Sequence, residues 1–407
     1  MLSEEAIEKL IQPIIDRQEN INAKAIEDIA KHIKEIGEVN PSDVQKLITL
    51  RNAGADAKKL VQAIAKATKL QEASIREIIK VVAKDAYLDA KPFYEASETQ
   101  YIPWDENIEL QRRVNAMAKI TADEYMNLSK AQAFMLRDPS HPQRLIPTPI
   151  AKAYQSVVDE AVQAASNGTI DYNSSMRKTL RQLVDSGIRR VEYSPESGRR
   201  YTQRLDTALR RNLLDGVRMI NQEVQNIVGE EFNADGVEIS VHMNPAPDHA
   251  EMQGHQFTRE EFNKMQNAED FQDIQGRKYS GFDRAVGTLN CRHFAYSIII
   301  GVQSQNFSDK QLKEILEKNE KGYTLPNGKH LTMYECTQYQ RQLETKIRYA
   351  KDGQIAALAA GDDKLAKEYQ AKINKLTNDY KAFSNACGLK PKFNKTTVNG
   401  YHVISTK

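Results

Sequence analysis

The chain has 407 residues, of which 40% are hydrophobic and 28% charged, a balance typical of folded globular proteins that argues against disorder or a fibrous repeat. Its 57 basic and 55 acidic residues nearly cancel, so the chain as a whole is not a polycation that would coat nucleic acid. Three cysteines are too few for a disulfide framework, and no long apolar run or secretion signal is present, so we expect synthesis in a reducing cytoplasm and no membrane partner.

Roughly the first 230 residues are predicted to be mainly helical. Apolar residues recur at steps of three and four from Ile7 to Ile36, which is the spacing of an amphipathic helix. Asn40-Pro41 has the pattern of an N-cap with a first-turn proline, and Gly54 is expected to end the short helix that they open. We divide this part into an N-terminal helical docking domain, residues 1–98, and a central helical domain, residues 99–230.

The periodicity changes to two at Val237, where apolar and polar residues alternate as in a half-buried strand. An α/β module is therefore predicted over residues 231–305. After it, two helices that meet at Gly361 are predicted to form an antiparallel hairpin within residues 306–388, followed by an arm, 389–407. The fold class expected from these elements is multidomain and mainly α, with a small α+β module.

Histidines are concentrated in the α/β module. Imidazole and thiolate both bind zinc, so the candidate metal ligands are His242, His249, Cys291 and His293. The spacing matches no known zinc signature, and the interpretation that we favour is a hydrogen-bonded polar core without a cofactor, to which further polar residues belong: Asn244, Gln253, Asn290 and Arg292. A third interpretation is a metal-dependent nuclease, but no acidic pair or general base accompanies the histidines.

Residues 177–218 form a basic stretch, with eleven Lys or Arg against five Asp or Glu. Such a stretch can neutralise phosphates without reading bases, which would give local, non-specific contact with DNA. The candidate DNA-contacting residues occur as three pairs: Arg189, Arg190, Arg199, Arg200, Arg210 and Arg211. The alternative is a solvated helix face or a surface that docks on an acidic protein.

Two separated segments resemble the phage minor capsid protein 2 family. They are VEISVHMNPAPDHAEMQG, residues 237–254, and GTLNCRH, residues 287–293. The resemblance extends upstream through 176–225 and downstream through 339–348, and it covers nearly the whole chain. It departs from the usual pattern at Ala246, where the family has arginine, and at Met252, where it has tryptophan.

The resemblance implies a minor structural protein in the head of a tailed bacteriophage. It implies synthesis in the bacterial host cytoplasm and a place in the virion, inside the capsid near the portal vertex, where the protein assists head assembly or DNA packaging. The implied partners are the portal protein and the major capsid protein. Because the sequence lacks a P-loop, a dinucleotide-binding pattern and a nucleophile elbow, we expect no enzyme. The alternative is a metal-dependent nuclease or effector carried in the head and delivered with the genome.

Overall fold

The chain packs into two units, and each unit joins stretches that are distant in sequence. The first consists of Met1–Gln12, Ala73–Glu124 and Arg210–Tyr339, and the second of Pro13–Glu72, Tyr125–Leu209 and Gln340–Lys407. The five contiguous domains expected from the sequence stay a prediction. The computed structural model describes residues 4–38, 43–96, 99–130, 132–138, 140–141, 143–153, 155–156, 159–160, 174, 177–178, 180–182, 184, 189–193, 200–280, 285–287 and 291–406.

Helices dominate the described residues, and the strands form small antiparallel sheets, which confirms the predicted mainly-α class with an α+β module. Helices α1 to α9 are Glu4–Glu38, Asp43–Asp89, Lys91–Ala96, Ile108–Lys130, Leu205–Glu231, Arg259–Gln266, Asp309–Lys321, Met333–Ala359 and Asp363–Ala386. Strands β1 to β11 are Gln132–Arg137, Leu145–Pro149, Arg189–Tyr193, Arg200–Arg204, Gly236–Ile239, Gln256–Thr258, Phe271–Gln272, Lys278–Tyr279, Ala295–Ile298, Tyr323–Thr324 and His330–Leu331. Short 3-10 helices cover Pro247–His249 and Phe393–Thr396. Across the described ranges, no helix is long and apolar enough to cross a membrane.

Of the two N-terminal helices, α1 has about the length that the sequence predicted and α2 is longer. Most of the apolar stripe of α1 up to Ile29 is buried within the protein, with Ile11 and Ile15 almost fully inaccessible, and the side chains of Ile33 and Ile36 lie outside the described residues. The prediction that Gly54 ends a short helix is wrong, because α2 runs through it without a break. One glycine costs only about 1 kcal/mol relative to alanine, and the alanines on both sides, Ala53 and Ala55, are strong helix formers.

A four-stranded antiparallel sheet in the second unit was not anticipated from the sequence. Its order is β2-β1-β3-β4. The apolar run in β1 is short, and such a run does not distinguish a strand from the end of a helix. Strand β2 contains Pro147 and Pro149, which argue against a central strand, but β2 lies at the edge of the sheet, where proline is tolerated.

Helices α8 and α9 form the predicted antiparallel hairpin. Their apolar residues recur at steps of three and four, so each helix presents one stripe to the other. Side-chain hydrogen bonds cross between the helices in antiparallel order: Gln340 to Ser384 at 2.9 Å, Tyr380 to Glu344 at 2.9 Å and Gln354 to Gln370 at 2.8 Å. Because these groups are buried, their mutual hydrogen bonds fix the register of the two helices.

The turn of the hairpin falls at Gly361, as predicted. Gly361 has a φ of +70°, a left-handed conformation that glycine adopts without a steric penalty. The backbone N–H of Asp362 then bonds to the carbonyl of Ala357 at 2.9 Å, which completes the end of α8. The Asp362 carboxylate accepts the N–H of Leu365 at 2.9 Å and caps the start of α9.

The predicted α/β module belongs to the first unit. Strand β5 lies between β6 and β9 in a three-stranded antiparallel sheet, and α6 follows β6 after a capping box formed by Thr258 and Glu261. The Gln222 amide, on α5, bonds to both the N–H and the carbonyl of Ala295 in the edge strand β9, each at 3.0 Å. The core beneath the sheet consists of Val237, Ile239, Met252, Phe257, Met265, Phe271, Tyr279, Val286 and Ala295.

Candidate metal centre

The polar site lies at one end of the three-stranded sheet. Strands β5 and β9 are antiparallel with Ile239 opposite Ala295, so the chain leaving β5 and the chain entering β9 meet at the same end. Beyond the strands, Ser240 and Phe294 continue the pairing, with the Ser240 N–H bonded to the Phe294 carbonyl at 2.8 Å. The loop after β5 then carries His249 in its 3-10 helix to the segment just before β9.

Three of the four predicted ligands converge at this point. The Sγ of Cys291 lies 3.1 Å from Nδ1 of His249 and 3.4 Å from Nδ1 of His293. All three potential ligand atoms lie within 4.8 Å of one another. The three residues are 3%, 1% and 4% exposed, so the group is shielded from solvent.

Gln253 sets the protonation of His293. Its side-chain Oε1 accepts the backbone N–H of His242 at 2.8 Å, and a backbone N–H can only donate, so the amide orientation is fixed. The same oxygen lies 3.3 Å from Nε2 of His293. A hydrogen bond to that oxygen requires a proton on Nε2 of His293, and the other ring nitrogen, Nδ1, faces Cys291. Gly254, with a φ of +75°, makes the turn that follows Gln253.

The surroundings of Cys291 act in opposite directions on the pKa of its thiol. Burial by itself would raise the pKa of Cys291, but the hydrogen bond and charge of His249 and the backbone N–H groups of Gly287 and His293 outweigh it and lower the pKa below its ordinary value. The thiolate is the form of cysteine that binds metals and attacks electrophiles. The cluster is therefore suited chemically to hold a cation, or to act as a nucleophile if a substrate could reach it.

The fourth predicted ligand, His242, lies beside the group rather than in it. Its Nε2 is bonded to the carbonyl of Arg292 at 2.7 Å, and its ring stacks edge-on against His293 with centroids 4.7 Å apart. Asn244 is half-buried, and Asn290 lies outside the described residues.

A neighbouring histidine belongs to a different set of contacts. Nδ1 of His255 lies 2.7 Å from the guanidinium of Arg277, which in turn pairs with Asp273 at 2.6 Å. Burial and the charge of Arg277 lower the pKa of His255. Its neutral ring can accept an arginine N–H, so His255 serves to hold Arg277 in place.

The basic stretch is partly engaged inside the protein. Arg210 forms an ion pair with Glu8 and a 2.7 Å hydrogen bond to Gln12, and Arg211 is half-buried. The other four predicted arginines cannot be placed: the side chains of Arg189, Arg190 and Arg200 and the whole of Arg199 lie outside the described residues.

Sequence reasoning missed that Arg204 is buried. Its guanidinium bonds to Asp206 at 3.0 Å and to Asp352 at 2.8 Å, and Asp206 also pairs with Arg348. Nothing in the local sequence separates Arg204 from the other arginines of the stretch, because Asp352 lies far away along the chain. This buried network is structural.

Comparison with known proteins identifies the family to which this chain belongs. In this mainly helical chain, residues 2–385 match a family described as phage minor capsid protein 2. The protein is thus a capsid component of a bacteriophage. The chain belongs to the phage minor capsid protein 2 family, which confirms the resemblance seen in the sequence and assigns the protein to the virion. No curated protein and no solved structure matches it.

Proposed function

We propose that this protein is a structural component that attaches at the portal vertex inside the phage head and assists head assembly or DNA packaging. The observation that carries the proposal is the extent of the family match, residues 2–385. A match over nearly the whole of this sequence supports a role in the head for the chain as a unit and not for one segment of it.

Burial of the polar site also supports a structural rather than a catalytic role. His249, Cys291 and His293 are each at least 96% inaccessible, which admits a bound ion but no nucleic acid strand. A nuclease needs its metal and its attacking water in contact with a phosphate. The alternative of a delivered nuclease or effector thus has less support than a scaffold.

Co-purification with the portal protein tests the proposed attachment. The tagged chain is co-expressed with the portal protein in one culture and with the major capsid protein in another, and captured under the same conditions. We expect the portal protein to be retained, because the family resemblance implies a place beside it and because α4 carries two exposed apolar side chains, Ile108 and Ile120, that a partner protein would cover. Retention of the major capsid protein alone would contradict portal attachment. Plasmid cleavage with Mg²⁺ or Mn²⁺ that His249→Ala abolishes would favour the nuclease instead.

The basic stretch is proposed to contact packaged DNA without sequence preference. Replacing Arg199 and Arg200 together with glutamine should reduce the slope of log affinity against log salt by about 0.9 for each phosphate that the protein no longer neutralises. Arg210→Gln is the matched control, because that guanidinium already pairs with Glu8, and we expect it to leave the slope unchanged. Filter binding to duplex DNA at several salt concentrations measures both. An unchanged slope in the double variant would assign the stretch to a protein-facing or solvated surface.

A further inference from the structure

We propose that His249, Cys291 and His293 bind one zinc ion, which fastens the loop after β5 to the segment that enters β9. The inference goes beyond a role in the capsid, because it concerns what holds the α/β module in shape. His249 lies in a 3-10 helix, and Cys291 and His293 lie just before β9; none of these three described residues belongs to a strand. A shared ion would cross-link them.

The distances fit a zinc ion. Zinc bonds to thiolate sulfur at about 2.3 Å and to imidazole nitrogen at about 2.0–2.1 Å, so a tetrahedral ion separates the sulfur from each nitrogen by about 3.6 Å. The observed separations from Sγ of Cys291 are 3.1 and 3.4 Å. Both sulfur–nitrogen separations are within about half an ångström of this value. The two imidazole nitrogens, which lie within 4.8 Å of each other, would have to approach to about 3.4 Å to share one tetrahedral ion.

A hydrogen bond next to the cluster holds one of the proposed ligands, His293, in a fixed orientation. Ligating histidines commonly donate their other ring N–H to an oxygen acceptor, which fixes the tautomer and the ring orientation. Gln253 gives His293 this kind of partner, with its oxygen 3.3 Å from Nε2 and its side chain buried. The Gln253 oxygen is itself held by the His242 N–H, so the amide cannot turn over without losing that bond.

The ligand types select zinc among common cations. One thiolate and two imidazoles form a borderline-soft N/S set, which suits zinc, whereas magnesium and calcium require oxygen ligands. No carboxylate belongs to the convergent group in the described part of the chain. Three protein ligands leave one tetrahedral position for a water molecule or a further side chain.

Metal content and a cobalt spectrum of the full-length chain test the proposal. Elemental analysis of protein purified without chelators should give about one zinc per chain, and replacement by Co²⁺ should give a thiolate-to-cobalt charge-transfer band. Cys291→Ser should abolish the band and lower the zinc content to near zero. Cys336→Ser is the matched control, because Cys336 is also a buried cysteine but lies outside the convergent group, and it should retain both signals.

Absence of zinc and of a charge-transfer band in the wild-type chain would overturn the proposal and leave a hydrogen-bonded cluster. The same conclusion would follow if Cys291→Ser kept the band while Cys336→Ser lost it. If Cys291→Ser fails to fold, titration of the wild-type protein with Co²⁺ still shows whether a metal binds to a cysteine, because the charge-transfer band requires a thiolate ligand.

A substitution outside the ligand set tests the orientation of His293. Gln253→Leu removes the oxygen that faces Nε2 and should weaken zinc affinity by about 10–100-fold, the usual effect of losing such a partner. Competition with a chromophoric chelator measures the affinity. Gln272→Leu, an exposed amide in the same module, is the control and should leave affinity unchanged. Equal affinities for Gln253→Leu and the wild type would show that the Gln253 oxygen does not orient His293 for a bound ion.

Discussion

Asp206→Asn is expected to lower the free energy of unfolding by about 3–5 kcal/mol, the usual effect of removing one partner from a buried ion pair. The Asp206 carboxylate is buried between the guanidinium groups of Arg204 and Arg348. A neutral amide leaves Arg348 without its buried carboxylate partner and leaves Arg204 with Asp352 alone. Urea denaturation of the full-length chain measures the loss. Asp123→Asn breaks the exposed pair with Lys119 and should cost about 1 kcal/mol or less.

The effect of Asp206 should also depend on pH. Burial by itself would raise the pKa of Asp206, but the charges of Arg204 and Arg348 lower it to about 2. An unfolded aspartate has a pKa of about 3.9, so the stabilisation is fully present above that value and is lost as the pH falls through about 2. The difference in stability between the wild type and Asp206→Asn should therefore shrink between pH 5 and pH 2. A constant difference over this range would assign the effect to packing.

Phe257→Ala is expected to lower stability by about 3–5 kcal/mol, because it removes a large side chain from the core of the α/β module. Phe257 is fully buried and makes edge-on contacts with Phe271 and Tyr279, with ring centroids 6.0 and 5.4 Å away. The cavity left behind would weaken the packing beneath β5 and β6. Thermal melting and amide hydrogen exchange in the module measure the loss.

The matched control for Phe257 is Ile274→Ala, which truncates an exposed apolar side chain of the same module. Surface substitutions of this kind usually change stability by less than about 0.5 kcal/mol. A similar loss in both variants would mean that Phe257 does not form a packed core. Normal zinc content in a destabilised Phe257→Ala protein would further separate packing from metal binding.

Local signals in the sequence predicted the hairpin of α8 and α9 well. Steps of three and four mark each helix, and Gly361 marks the turn, so both features are visible within a few residues. The four-stranded sheet depends instead on distant partners: β1 pairs with β3 more than fifty residues later, and neither strand shows a clear alternation. Such pairing is set by tertiary packing, which no local pattern encodes.

The candidate site shows the same division. The concentration of histidines around Cys291 pointed to the site. The sequence did not show, however, which of His242 and His249 lies close to the thiol. The structure separates them, because the carbonyl of Arg292 engages His242 while the 3-10 helix brings His249 to the thiol. Likewise, charge counting grouped Arg204 with its neighbours, and only the packing shows that it is buried against Asp352. The types of side chain at the site could be predicted from the sequence, but which of them lie close together could not.

Cross-linking mass spectrometry of intact virions tests most directly whether this protein lies at the portal vertex. Virions are treated with a lysine-reactive cross-linker, disrupted and digested, and the linked peptides are identified. We expect cross-links between this chain and the portal protein. Cross-links to the major capsid protein alone, or absence of the chain from purified virions, would refute attachment at the portal vertex.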